Sequence, residues 1–291
     1  MRVGFAGLGR MGVRMAANLA AAGLEVSAWN RTAETARTFA SAHNAFPAAT
    51  PKDLAERSDV VITMLADDAA AETVYFGPDG LFEASGGAQV LAEMGTLSVP
   101  MAERLARAAQ EKGRRFVDAP VSGATQAAKD ATLLIMAGAT ASDAPELTAL
   151  FDVLGRKTIW LGKAGAGAAM KLGVNMLIHG LNQTLAEALA LTSAAGIPQE
   201  QAYEVVENSA AAAPVIAYRK GLYLDEAAHE VSFTVALARK DVGLALQLAS
   251  TCGVVMPQAE LNHAVLKAAG QAGYDGRDMA SILSFVNKGL K

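Results

Sequence analysis

The chain has 291 residues, 52% of them hydrophobic and 19% charged, and a formal net charge of -4. That length suits about two domains, and the apolar share excludes a disordered chain. The acidic balance argues against nucleic acid as a partner, and the single cysteine, Cys252, excludes an intrachain disulfide and fits a reducing, cytoplasmic compartment.

Up to residue 162, short apolar runs alternate with helical patterns. Arg2–Ala6, Glu25–Trp29, Asp59–Met64, Gln89–Glu93, Arg115–Ala119, Thr132–Ala137 and Lys157–Leu161 read as strands. Several are apolar on both faces, as buried parallel strands require. Met11–Ala22, Pro51–Arg57, Ala69–Tyr75, Val99–Lys112 and Ala144–Leu154 read as helices between them. This alternation predicts an α/β Rossmann domain built on one doubly wound sheet.

After Gly162 the strand patterns stop. Gly165 to Ala195 contains no proline and reads as one long interdomain helix, about 46 Å at about 1.5 Å per residue. Gly196-Ile197-Pro198 ends it, because proline cannot continue a helix. Pro198–Ser209, Pro214–Tyr218, Thr234–Cys252, Pro257–Ala269 and Asp278–Lys288 then predict an all-α second domain. The expected boundaries are 1–162 for a cofactor domain and 163–291 for a helical substrate and oligomerisation domain.

No run reaches about 18 apolar residues, so no membrane span is expected. The nearest, Leu172 to Ala186, is interrupted by Asn175, His179, Asn182 and Gln183. His43, His179, His229 and His263 show no metal-ligand spacing, and no metal is expected.

Gly7-Leu8-Gly9-Arg10-Met11-Gly12 places GxGxxG directly after a strand and at the start of a helix. In that context the first glycine permits the tight turn, the second lets backbone approach a pyrophosphate, and the third lets helix pack on strand. The second strand ends Trp29-Asn30-Arg31-Thr32. An NAD site usually carries a carboxylate there for the ribose 2′-hydroxyl; an arginine instead suits a 2′-phosphate. NADP(H) is therefore expected in preference to NAD(H). Leu65 and Ala66, after the third strand, and Thr96, after the fourth, fall where loops would pass the ribose and nicotinamide.

Beyond these motifs the sequence resembles the β-hydroxyacid dehydrogenase family, which includes 3-hydroxyisobutyrate dehydrogenases and the tartronate, succinic and glyoxylic semialdehyde reductases. The resemblance covers the chain end to end. Besides the glycine motif and Asn30-Arg31-Thr32, it rests on Asp118-Ala119-Pro120-Val121-Ser122-Gly123, on the segment from Gly165 to Leu172 around Lys171, and on Lys240-Asp241 after Phe233. The chain departs from the family pattern at Ala124 and Ala131, where glycines are usual, and at Val174, which replaces the first of two asparagines.

The resemblance implies an NADP-dependent oxidoreductase acting on a small carboxylate-bearing hydroxy acid or semialdehyde. Lys171 would be the general acid/base, with its pKa lowered by an apolar setting. Asn175 lies four residues on, on the same helix face, and would hold the lysine or the substrate oxygen. Ser122 and the backbone of Gly123 and Ala124 would bind the substrate carboxylate, Phe233 would wall the pocket, and Lys240 would reach the cofactor from the second domain. His179 reads as a packed histidine. Tyr218 and Arg219 read as exposed side chains suited to a substrate tail. An imine reductase of the same fold, or a non-catalytic cofactor-binding scaffold, is the alternative; Lys171 weighs against the first, and Lys171 with Asn175 against the second. Gly173, Gly180 and Ala186 on the long helix suggest a homodimer or homotetramer.

Overall fold

The computed structural model describes residues 1–289. The chain divides into two compact units, Met1–Lys171 and a second from Leu172 onward. The division lies inside the long helix.

The first unit contains β1 (Arg2–Ala6), α1 (Gly12–Ala21), β2 (Glu25–Trp29), α2 (Ala33–His43), β3 (Phe46–Pro47), α3 (Pro51–Arg57), β4 (Val60–Thr63) and α4 (Asp68–Ala71). It continues with β5 (Val90–Glu93), α5 (Val99–Glu111), β6 (Arg115–Asp118), β7 (Val121–Ser122), α6 (Ala124–Lys129), β8 (Leu133–Ala137), α7 (Pro145–Leu154), β9 (Gly155–Trp160) and the start of α8 (Ala166–Ala194).

Six strands form a parallel sheet in the order β3-β2-β1-β4-β5-β6. The chain runs outward from β1 on one side and then returns to its other side, so β1 and β4 flank a topological switch point. β4 and β5 are buried at every position. Alternate residues face opposite layers: Val60 and Ile62 join Val3, Phe5 and Met15, whereas Val61 joins Leu54, Leu91 and Leu105. α1 covers one face through Gly12, Met15, Ala16 and Leu19, a 3.6-residue stripe. α3 and α5 start on capping side chains followed by proline. Thr50 accepts from the Asp53 N–H and Ser98 from the Met101 N–H.

Three features differ from the sequence reading. β7, β8 and β9 form their own three-stranded sheet, with β7 antiparallel to β8, instead of extending the large one. Pro120 follows β6 without an N–H to continue a ladder, and the chain turns away there. α2 was unexpected from sequence, since only Ala36, Phe39 and Ala40 of its eleven residues are buried. α6 is six residues long and lies between two left-handed alanines, Ala124 (φ 56°) and Ala131 (φ 55°).

Those alanines stand where the family usually has glycine. A left-handed backbone costs an L-residue about 1–2 kcal/mol, and glycine gives back about 0.5–1 kcal/mol through its freer unfolded chain. Ala131→Gly is therefore expected to stabilise the protein by about 0.5–1 kcal/mol. A raised denaturation midpoint would show this; an unchanged or lowered one would contradict it.

The second unit is helical: the remainder of α8, α9 (Gln199–Glu207), α10 (Pro214–Leu224), α11 (Val235–Cys252), α12 (Pro257–Ala269) and α13 (Ile282–Asn287). Leu185, Leu189, Tyr203, Ile216, Val242, Leu266 and Ile282 build its core. α10 runs past Tyr218 to Leu224 and buries Arg219. Arg219 is 3% exposed and ion-paired with the fully buried Asp278, and its Nη1 donates to Ser232 Oγ at 2.9 Å. It is a structural residue and not the exposed substrate reader expected from sequence; Tyr218 is exposed. Among the described residues no helix is long and apolar enough to cross a membrane, and no cluster of His, Cys, Asp and Glu could hold a metal.

Candidate active site

The glycine motif begins where β1 ends. Gly7 has φ 99°, and a Cβ there would lie 2.4 Å from the Met64 carbonyl oxygen. A Cβ on Gly12 would lie 1.9 Å from the Gly7 carbonyl oxygen, so α1 starts hard against the turn. Gly9 is exposed and faces open space, with nothing within 4 Å of its Cβ direction. The bare backbone at Gly9, followed by the positive end of a helix dipole, fits a pyrophosphate. Leu8 is buried, Arg10 is exposed and Met11 is half-buried.

Asn30 has a role the sequence did not disclose. Its Oδ1 accepts from the Leu8 N–H at 3.0 Å, and its Nδ2 donates to the Thr32 carbonyl at 3.2 Å. The Gly7 N–H adds a 2.9 Å bond to the Trp29 carbonyl. The end of β2 thereby fixes the glycine loop. Arg31 and Thr32 are exposed beside it, and Thr32 makes no side-chain capping bond to α2. The next carboxylate along the chain, Glu34, is ion-paired with Arg37 at 2.8 Å.

The loops after β4 and β5 come together at the same sheet edge. Leu65 is buried, Ala66 is exposed and Thr96 is half-buried. Asp68 Oδ1 accepts from the Ser98 N–H at 2.9 Å, and Glu93, read from sequence only as the end of a strand, accepts from N–H groups of both loops. The available signal was a carboxylate ending an otherwise apolar strand.

Asp118 ends β6 and is 2% exposed. Its Oδ1 accepts from the Gly165 N–H at 2.9 Å and its Oδ2 from the Ala168 N–H at 2.8 Å. It caps the N-terminus of α8, a favourable place for negative charge. Burial pushes the Asp118 carboxyl up, against the pull of those N–H groups. The same residue opens the loop to Ser122, Gly123 and Ala124, all half-buried. Lys171, also half-buried, stands one turn beyond Ala168 on α8.

In the second unit, Asn175 is 3% exposed and its Nδ2 donates to Asp241 Oδ2 at 2.5 Å. Lys240 Nζ lies 3.0 Å from Asp241 Oδ1. Asp241, 1% exposed, is thus the hub that orients both neighbours and is no surface charge. Lys240 also lines a groove of about 680 Å³ with Arg239, His263 and Lys267. Burial, then the Arg239 and Lys267 charges, push the His263 imidazole down. His179 is buried, with its ring centroid 5.5 Å from that of Phe233. Phe233 is fixed by its backbone: its N–H donates to Asp278 at 3.1 Å and its carbonyl accepts from Met279 at 2.8 Å.

Residues 2–162 match the model of the NAD binding domain of 6-phosphogluconate dehydrogenase, and residues 165–286 match that described as NAD-binding of NADP-dependent 3-hydroxyisobutyrate dehydrogenase. The chain is 31% identical to glyoxylate/succinic semialdehyde reductase 1 of Arabidopsis thaliana over 98% of each protein. It is 31% identical to 3-sulfolactaldehyde reductase of Escherichia coli strain K12, over 98% of this chain and 95% of that protein. Among solved structures, 3-hydroxyisobutyrate dehydrogenase of Mycobacterium tuberculosis with L-serine superposes with a TM-score of 0.85 at 26% identity, covering 98% of both chains.

Proposed function

The chain belongs to the β-hydroxyacid dehydrogenase family of NAD(P)-dependent oxidoreductases, and we propose that it is an NADP(H)-dependent reductase of a small aldehyde acid, working in reverse on a hydroxy acid such as a 3-hydroxy acid to give its semialdehyde or oxo acid. One observation carries the reading. Asp118 both opens the loop bearing Ser122 and caps the helix bearing Lys171, so one buried carboxylate ties that loop and that helix to one strand end.

The nicotinamide, when bound, supplies or accepts the hydride. As a carbonyl is reduced its oxygen gains negative charge; the Lys171 ammonium lies ready to neutralise it and donate a proton, and the amine takes the proton back in the reverse direction. Asn175, whose amide is oriented by Asp241, holds Lys171 Nζ or the substrate oxygen. Ser122 Oγ with the N–H groups of Gly123 and Ala124 binds the substrate carboxylate without adding a competing base. Phe233 walls the substrate.

In the first unit, Gly7, Leu8, Gly9, Arg10, Met11 and Gly12 carry the pyrophosphate. Asn30, Arg31 and Thr32 take the adenosine 2′-phosphate, and Leu65, Ala66 and Thr96 line the nicotinamide half. Lys240 is assigned a cationic contact to the cofactor. A lysine at position 171, where imine reductases usually carry Asp or Tyr, favours an aldehyde acid over an imine. Exposed Leu177, Leu181 and Leu191 along α8 support self-association as a dimer or tetramer.

The test compares succinic semialdehyde with butanal, which has the same chain length and no carboxylate. The acid is expected to be the better substrate. Ser122→Ala is expected to raise its KM by about tenfold or more, the worth of a hydrogen bond to a charged group, with butanal little affected. Equal losses on both aldehydes would show that this loop is no carboxylate clamp.

A further inference from the structure

We propose that Glu93 is a positioning residue that fixes the two loops bordering the reactive half of the cofactor, a proposal that rests on the functional reading above. Glu93 closes β5, is 2% exposed, and follows Val90, Leu91 and Ala92, which are all core residues. An apolar side chain would satisfy that position. A carboxylate there is tolerated only when donors converge on it, and they do. Glu93 Oε1 accepts from the Gly95 N–H at 2.7 Å and the Leu65 N–H at 3.4 Å, and Oε2 accepts from the Thr63 hydroxyl.

Directions along the network follow from chemistry. With Glu93 ionised, its carboxylate only accepts; the Thr63 proton then goes to Glu93 Oε2, with the Ala92 carbonyl as a longer second acceptor at 3.3 Å. In the 2.7 Å bond between Thr63 Oγ1 and Tyr75 Oη, the tyrosine must then be the donor. Burial, and then the Glu93 charge, push the Tyr75 phenol well above its ordinary range, which keeps it protonated and donating. Tyr75 is in turn gripped by Phe82 and Phe116, with ring centroids 5.4 and 6.1 Å away.

The network ends on the backbone of Leu65 and Gly95, the residues that precede Ala66 and Thr96. The two loops also press on each other. A Cβ at Gly95 would lie 2.3 Å from the Leu65 carbonyl oxygen and 2.6 Å from Glu93 Oε1. One carboxylate therefore holds both loops in a single register, and their edges are the segments assigned to the nicotinamide half.

The test uses the full-length protein with Glu93→Leu, Glu93→Gln and, as a distal variant, Tyr75→Phe. NADPH affinity is read by fluorescence titration and kcat with the best semialdehyde, in preparations shown to be folded by circular dichroism. Glu93→Leu is expected to raise the NADPH Kd and to lower kcat, each by about tenfold or more, since hydrogen bonds to a charged acceptor are lost. Glu93→Gln keeps one acceptor oxygen and is expected to fall between Leu and wild type; Tyr75→Phe should do less. If Glu93→Leu does not fold, Glu93→Gln decides. A folded variant, Leu or else Gln, with wild-type Kd and kcat would overturn the proposal. The affinity readout needs only dinucleotide binding. A Kd shift in a protein inert toward every semialdehyde would support the clamp while overturning the substrate reading.

Discussion

Replacing Lys171 by methionine is expected to lower turnover by about 10²–10⁴, the usual share of a positioned general acid–base, and to leave NADPH affinity intact. Methionine keeps much of the length and the apolar stem that a half-buried lysine packs with, and removes the ionisable nitrogen. The helix itself is unaffected, because its start is held by Asp118 through Gly165 and Ala168 and not by Lys171. Steady-state kcat with fluorescence-measured NADPH affinity separates the two effects. Near-normal turnover in a folded variant would remove Lys171 from the mechanism.

The second large effect concerns cofactor choice. Arg31 is exposed at the end of β2, and the carboxylate that follows it, Glu34, already holds Arg37. A charge-assisted contact to a 2′-phosphate is worth about 1.5–3 kcal/mol, or about 10- to 150-fold in preference for NADPH over NADH. Arg31→Ala should remove most of it. Adding Asn30→Asp should reverse the preference, since a carboxylate accepts from a ribose hydroxyl and repels a phosphate. The double variant is expected to fold, because aspartate can still accept the Leu8 N–H that Asn30 Oδ1 accepts. The comparison is kcat/KM with both cofactors. A native preference for NADH would make Arg31 a solvated loop residue.

Much of the first unit was legible because its physics is local. Gly12 is forced by a contact inside the motif and Gly7 by its own positive φ, and the strands buried on both faces appear as unbroken apolar runs. What stayed hidden was either weakly patterned or long-range. α2 buries a narrow stripe on a polar helix, and β3 and β7 are two residues each, too short to show a period. Arg219 looked exposed because its partner Asp278 lies 59 residues further along. Asp118 was visible in its motif, but its capping of α8 spans 47 and 50 residues. Ala124 and Ala131 were visible as departures from a family pattern; that both sit at positive φ is a property of the backbone alone.

A lysine-based site of this kind is expected to reduce a small aldehyde bearing a carboxylate. The deciding measurement follows NADPH oxidation with glyoxylate, succinic semialdehyde, methylmalonate semialdehyde and tartronate semialdehyde beside a cyclic imine, 1-pyrroline. Turnover is expected with at least one aldehyde acid and not with the imine. Reduction of the imine with none of the acids turned over would contradict it.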